Sequence, residues 1–256
     1  MKLSVVIPAF NERATIADVI CRVAATLPAV PKELVIVDDG SRDGTREWLQ
    51  AQLGELDRLP GLPGVDDGGS LQFAPADADA APVDCRLVLH PRNRGKGAAL
   101  RSGFAAATGD VVVVQDADLE YDTADWVGMW DLVAVRGVAD VVYGCRFYGR
   151  PHRSLYFHHY LANRLISFLF NLLYNQTLND IEVCYKMFRR EVLESLELTC
   201  DDFGIEIELS AKTARQRSWR IYEIGISYFG RTYAEGKKIG WEDGLKALWY
   251  LFRFRF

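Results

Sequence analysis

The chain has 256 residues, of which 49% are hydrophobic and 25% charged, with a formal net charge of -5. That is enough apolar surface to bury a full core, which excludes a disordered chain, and the acidic balance argues against a general nucleic-acid binder. Five cysteines form an odd set without a C-x-x-C pair, so a disulfide framework is not expected and a reducing cytoplasm fits best.

In chain order, strand patterns run over Leu3–Ile7, Leu34–Val37, Arg86–Leu89, Val111–Val114, Val141–Tyr143 and Ile221–Tyr228. Helix-compatible stretches at Glu12–Leu27, Asp43–Leu53, Gly95–Thr108 and Thr123–Val135 separate most of them. Such alternation predicts an α/β fold, a mostly parallel sheet with helices on both faces. Met1-Lys2 leads directly into the first strand without the pattern of a signal peptide.

Charge is unevenly spread. Gly54–Asp84 holds seven acids and one base among five glycines and four prolines, without helical or strand period, and reads as a flexible acidic insertion. From Lys212 to Phe256 there are ten bases and four acids, which points to a local anionic partner. The expected organisation is one catalytic domain over 1–240, with 54–84 inserted, and an amphipathic carboxyl-terminal helix over 241–256.

Three strand ends carry polar groups. The first is Pro8-Ala9-Phe10-Asn11-Glu12, where Pro8 is expected to end strand pairing; the second is Val37-Asp38-Asp39-Gly40-Ser41. The third follows Val111–Val114, whose β-branched run delivers Asp116 and Asp118 to a sheet's carboxyl edge, where open α/β sheets place ligands. Side chains two apart on extended backbone point the same way, so both carboxylates can face one hard cation, and that cation can hold a diphosphate. An isolated acidic pair after a strand also serves as a turn or helix cap. Neither G-x-x-x-x-G-K-[ST] nor G-x-G-x-x-G follows the first strand, which lowers kinase and dehydrogenase readings.

With Asn93-Arg94-Gly95-Lys96-Gly97, Gly144-Cys145-Arg146 and Asp180-Ile181-Glu182-Val183-Cys184-Tyr185-Lys186 added, the chain resembles the GT-A glycosyltransferases of family 2, and among them the dolichyl- or polyprenyl-phosphate sugar synthases. The resemblance implies a Rossmann-like nucleotide-diphospho-sugar transferase fold. It implies that Pro8, Phe10, Glu12, Val37, Asp38 and Asp39 line the nucleotide pocket, that Asp116 and Asp118, with Glu120, hold Mg2+ or Mn2+, and that Lys96 contacts phosphate. The donor would be GDP-mannose or UDP-glucose.

A lipid monophosphate acceptor, with a second pKa of roughly 6, arrives largely ionised and requires cations more than a base. Arg146, Arg231, Lys237 and Lys238 fit that need, the last three in a segment similar to the R-x-x-G-x-S-K stretch of the prenyl-phosphate enzymes but differently spaced. Arg164 and Ser167 stand near the family's Arg-x-x-x-Ser. Asp180 stands where other family-2 enzymes carry a base, so Asp118, Arg146 and Asp180 form the expected catalytic set.

The favoured expectation is inverting transfer of a hexose to a polyprenyl phosphate. Transfer to a glycan or soluble hydroxyl, with Asp180 as base, is the alternative, and an inactive sugar-nucleotide scaffold a third. The apolar stretches Tyr156–Tyr174 and Leu245–Phe256 have interfacial composition without reaching a membrane span, so peripheral contact with the inner face of the membrane is expected.

Overall fold

The computed structural model describes residues 1–74, 79–232, 235 and 241–255, with 241–243 as backbone only. The chain divides into two units, Met1–Leu119 and Glu120–Phe256.

In the first unit, β1 (Leu3–Ala9), β2 (Lys32–Asp38), β5 (Val83–Leu89) and β6 (Val111–Val114) form a parallel array in the order β5-β2-β1-β6. The valines of β6 are all buried, as are all seven residues of β2, because helices cover both faces of these strands. Those helices are α1 (Ile16–Ala25), α2 (Thr45–Leu53) and α3 (Lys96–Ala106), of which α1 starts well after the predicted Glu12 and α3 directly after the predicted Gly95. At Gly103 a Cβ would sit 2.3 Å from Val6 Cγ1, so glycine is what lets α3 lie this close to β1.

Pro8 does not end the strand. It pairs in register with Val37 of β2, while the β6 register stops at Val6 and Val114. A proline is tolerated there because the missing N–H falls past the end of the pairing with β6. The acidic insertion contains a hairpin, β3 (Leu62–Val65) antiparallel to β4 (Leu71–Ala74), where the sequence pattern predicts no element.

Glu33 illustrates how the first unit is tied together. It is 3% exposed and accepts hydrogen bonds from Ser4 Oγ, Thr108 Oγ1 at 2.7 Å and Lys2 Nζ at 3.1 Å. Burial alone raises a carboxyl pKa, but these donors outweigh it and hold Glu33 below its ordinary 4.5. The unfolded chain therefore binds this proton more tightly than the folded one. The contribution is complete above pH 4.5 and is lost as the pH falls through the folded value. Glu33→Gln is expected to cost about 1–3 kcal/mol at pH 7, the range for unsatisfied buried donors, with less difference from wild type in urea melts near pH 3.

In the second unit β7 (Val141–Cys145) is fully buried between β8 (Lys186–Arg189), which is antiparallel, and β9 (Ile221–Gly225), which is parallel. The predicted Thr123–Val135 helix is realised as a 3-10 turn, α4 (Trp126–Trp130) and a π-helical turn (Asp131–Val135). The remaining helices are α5 (Phe157–Tyr174), α6 (Arg190–Glu194), α7 (Ile205–Gln216) and α8 (Trp241–Arg253). The last strand stops at Gly225 rather than reaching Tyr228.

Candidate functional site

The donor-side motifs lie on loops at the carboxyl ends of β1, β2, β5 and β6 in the first unit. The β1–α1 and β2–α2 loops are stitched together by local side chains. Asn11 N donates to Ser41 Oγ at 2.9 Å, Arg42 N to Asn11 Oδ1 at 2.8 Å, Glu12 N to Thr45 Oγ1 at 3.0 Å and Arg13 N to Asp43 Oδ2 at 3.1 Å. Asn11 takes a positive φ of 56° at this corner, a conformation its short amide tolerates.

Asp38, the last residue of β2, and Asp39 just after it tie neighbouring segments together. Asp38 is fully buried and accepts Arg46 Nε at 2.7 Å. Val37 is also fully buried, so its side chain serves the core. Asp39 accepts His90 Nδ1 at 2.7 Å, Arg94 N at 2.9 Å and Gly95 N at 2.8 Å, which bolts the turn before α3 to β2. Gly40, with φ +77°, lies where a Cβ would meet the Arg92 carbonyl carbon at 2.5 Å, so only glycine allows that approach.

Asp116 and Asp118 are half-buried with buried Ala117 between them, as the alternation requires, although they stand at a turn rather than in the strand. Thr15 Oγ1 donates to Ala117 O at 2.6 Å and fixes that turn to the start of α1. Lys96 Nζ lies 2.8 Å from Asp116 Oδ1, both groups largely shielded, so the lysine of the glycine-rich turn meets the acidic motif directly.

Among the described residues no three His, Cys, Asp or Glu side chains gather into a cation cage. Two carboxylates nevertheless fit Mg2+ or Mn2+, because such ions take one or two carboxylates and complete their shell with water and substrate phosphate. Glu120, the expected third ligand, is engaged within the second unit. Its Oε1 accepts Arg231 N and Nε, both at 3.0 Å, and its Oε2 accepts Tyr228 Oη at 2.8 Å.

The acceptor-side candidates lie in the second unit. Arg146, immediately after β7, makes a fork to Asp180, Nε to Oδ2 and Nη2 to Oδ1 at 2.7 Å each, and its backbone N adds a third bond at 3.1 Å. Its guanidinium lies over the rings of Tyr228 at 5.3 Å and Phe147 at 5.7 Å. Burial acts to release its proton, but the Asp180 carboxylate outweighs it and keeps Arg146 charged. Asp180 is itself 0% exposed.

Glu223 on β9 fixes the other side of this pair by accepting Asn179 N at 2.7 Å, Asn179 Nδ2 at 2.8 Å and Asp180 N at 3.1 Å. Arg164 Nη1 donates to Asn179 Oδ1 at 3.0 Å. Ser167 is 2% exposed, and its Oγ accepts Ile181 N at 3.4 Å. Glu182, half-buried, has its carboxyl pushed up to about 7 by burial, against the opposing pull of Arg146. Lys237 and Lys238 lie outside the described residues.

Several residues in these networks escape sequence reasoning. Tyr228 joins Arg146 to Glu120, and His90 and Arg46 hold Asp39 and Asp38. Only Glu223 leaves a trace, as the single acid within the apolar Ile221–Gly225 strand.

Residues 4–59 and 65–197 match the Glycosyl transferase family 2 profile. The chain belongs to that family. It is 26% identical over 238 residues to the undecaprenyl-phosphate 4-deoxy-4-formamido-L-arabinose transferase of Yersinia enterocolitica, covering 92% of this chain and 62% of the relative. It is 26% identical over 245 residues to the dolichol-phosphate mannosyltransferase of Pyrococcus furiosus, covering 93% and 61%. The chain thus spans about three fifths of the length of these curated relatives. Among solved structures, glucosyl-3-phosphoglycerate synthase from Mycobacterium tuberculosis with phosphoglyceric acid superposes with a TM-score of 0.68 at 20% identity, covering 99% of this chain and 79% of that one. The same enzyme with Mn2+, uridine diphosphate and phosphoglyceric acid gives 0.66 at 20% identity, covering 99% and 78%. The fold of this family 2 member is therefore the mixed α/β GT-A fold expected from the sequence.

Proposed function

We propose that this chain is an inverting, metal-dependent glycosyltransferase that moves a hexose from a nucleotide-diphosphate sugar to a polyprenyl phosphate. The observation that carries the reading is the state of Asp180. Its carboxylate is fully buried and forked by Arg146, so it has no oxygen poised to take a proton from an alcohol. An ionised phosphate acceptor requires no such base, and its charge suits a guanidinium held over an aromatic ring.

The first unit supplies the donor half, with Asp116 and Asp118 as the metal ligands and Lys96 as the nearby cation. A divalent cation at these carboxylates would offset the charge of the diphosphate. An acceptor phosphate oxygen attacks the anomeric carbon as the bond from that carbon to the nucleoside diphosphate breaks, and the leaving group takes the electron pair. Arg146, pre-set by Asp180 and Tyr228, orients the incoming phosphate, and Arg231 adds a second cation from the same network. The two named relatives, whose names specify undecaprenyl phosphate and dolichol phosphate, support this acceptor class.

The reading includes peripheral contact with the cytoplasmic face of a membrane. On α5 the residues Phe157, Leu161, Leu165, Phe168 and Leu172 form an exposed stripe at helical spacing, and on α8 Leu245, Trp249 and Phe252 form another. Tyr174 Oη donates to Leu251 O at 2.8 Å, so the two helices are neighbours, with Arg253 and Arg255 at the end of α8. Aromatic groups beside bases are the composition of an interfacial surface, and no described helix is long and apolar enough to cross a membrane. Replacing both Phe168 and Leu172 by serine is expected to lower sedimentation with anionic vesicles several-fold; unchanged sedimentation would place the membrane contact elsewhere.

The overall reading is tested with labelled GDP-mannose and UDP-glucose plus Mn2+, with and without polyprenyl phosphate. Label entering the organic phase only when the lipid is present supports it. Metal-linked donor binding without lipid product would favour a hydroxyl acceptor.

A further inference from the structure

The family profile match is interrupted at residues 60–64, at the start of the hairpin in the acidic insertion. Its composition suggests a solubilising excursion, yet the hairpin is built and seated. Asp66 Oδ1 accepts Gly68 N at 2.9 Å and Ser70 N at 2.8 Å, Gln72 Nε2 adds 3.0 Å to Oδ2, and these bonds close the tip. Leu71, 6% exposed, anchors β4, with its N–H donating to Gln52 Oε1 on α2 at 2.8 Å.

The tip carbonyl of Gly69 then accepts the indole N–H of Trp48 at 2.8 Å. Trp48 is 8% exposed and carries the guanidinium of Arg13 over its ring at 5.0 Å. Arg13 has no carboxylate within ion-pair distance among the described residues, so the ring is the main support for its side chain. Arg13 directly follows Glu12, and the Asn11–Arg13 backbone is the segment stitched to the β2–α2 loop. A continuous set of contacts therefore runs from hairpin tip to Trp48, to Arg13, to the corner that the resemblance assigns to the donor nucleotide.

We infer that the Leu62–Ala74 hairpin is a positioning element of the donor-nucleotide site, acting through Trp48 and Arg13 on the Asn11–Glu12 corner. The inference rests on the nucleotide-sugar reading proposed above. Without the tip, Trp48 loses the bond that orients its indole, and the Arg13 guanidinium loses the ring surface held in place beneath it.

The test is calorimetric titration of the full chain with GDP and UDP in Mn2+, using wild type, Trp48→Phe, Arg13→Ala and the double variant, each checked by thermal melting. Trp48→Phe keeps an aromatic face and removes the N–H together with part of the ring surface under Arg13. Each single change is expected to raise the nucleotide Kd about tenfold, and the double change no further than either single, because both cut one series of contacts. Singles that bind like wild type, or effects that multiply in the double variant, would overturn the positioning role while leaving the donor reading intact. Absence of metal-linked nucleotide binding by wild type would remove the donor reading and this inference with it.

Discussion

Arg146→Lys is expected to lower kcat/KM for sugar transfer by about 10^2 to 10^3 while nucleotide affinity stays within about twofold, the size of effect seen when one preorganised charge-stabilising donor is removed. Lysine keeps the charge but loses the planar fork that meets both oxygens of Asp180 at 2.7 Å. The ammonium cannot hold the carboxylate and also present an N–H edge over the Tyr228 ring. Arg146→Ala is the harsher change, since it strands Asp180 as a buried unpaired charge, at about 3–5 kcal/mol of stability. Lysine therefore separates function from folding. Steady-state kinetics with acceptor varied, beside nucleotide titration, checks the expectation. Equal losses in donor binding and turnover would move Arg146 out of the acceptor half.

Asp118→Asn is expected to abolish metal-linked nucleotide binding and to reduce turnover at least about 10^3-fold, with the melting temperature nearly unchanged. An amide keeps the shape and loses the anionic oxygen that a hard cation requires. The exchange is nearly isosteric, so the half-buried side chain keeps its volume, and the melting curve of the variant separates a folding defect from a loss of metal binding. Asp116→Asn also cuts the ion pair with Lys96, so its effect includes a displaced cation. Manganese titrations of nucleotide affinity distinguish the two. Unchanged metal linkage in Asp118→Asn would take that residue out of the ligand set.

Much of this fold is legible in the chain because its central strands are continuous apolar runs. Val111–Val114 and Leu34–Val37 are buried on both faces, and β-branched residues in such runs have few alternatives. The donor-side loops are legible for the same reason, as each follows such a run directly. The misses are instructive. In α7, Ile205-Glu206-Ile207-Glu208-Leu209 alternates like a strand, yet it is helical and both glutamates are buried. Glu206 pairs with Lys186, and Glu208 accepts Thr199 N at 2.9 Å and Cys200 N at 2.8 Å, so distant partners reverse what periodicity alone implies. The strand Lys186–Arg189 has charged ends and no alternation to announce it.

Residue roles follow the same division. Asp116, Asp118, Arg146 and Asp180 are singled out by local motifs, and two of them, Arg146 and Asp180, pair with each other. Glu120 is drawn toward the metal set by its spacing from Asp118, while its partners Tyr228 and Arg231 lie over a hundred residues away. Asp38 and Asp39 carry the right chemistry for a ligand, and Arg46 and His90, which no spacing rule links to them, pair with them.

The measurement that bears most directly on the acceptor is transfer from the active labelled donor to polyprenyl phosphate compared with the matched polyprenol, at equal chain length and in the same Mn2+ buffer. Turnover with the phosphate and none with the alcohol is expected if Asp180 serves only to hold Arg146. Comparable turnover with the alcohol would show that the site deprotonates a hydroxyl and would contradict the phosphate-reading role of the pair.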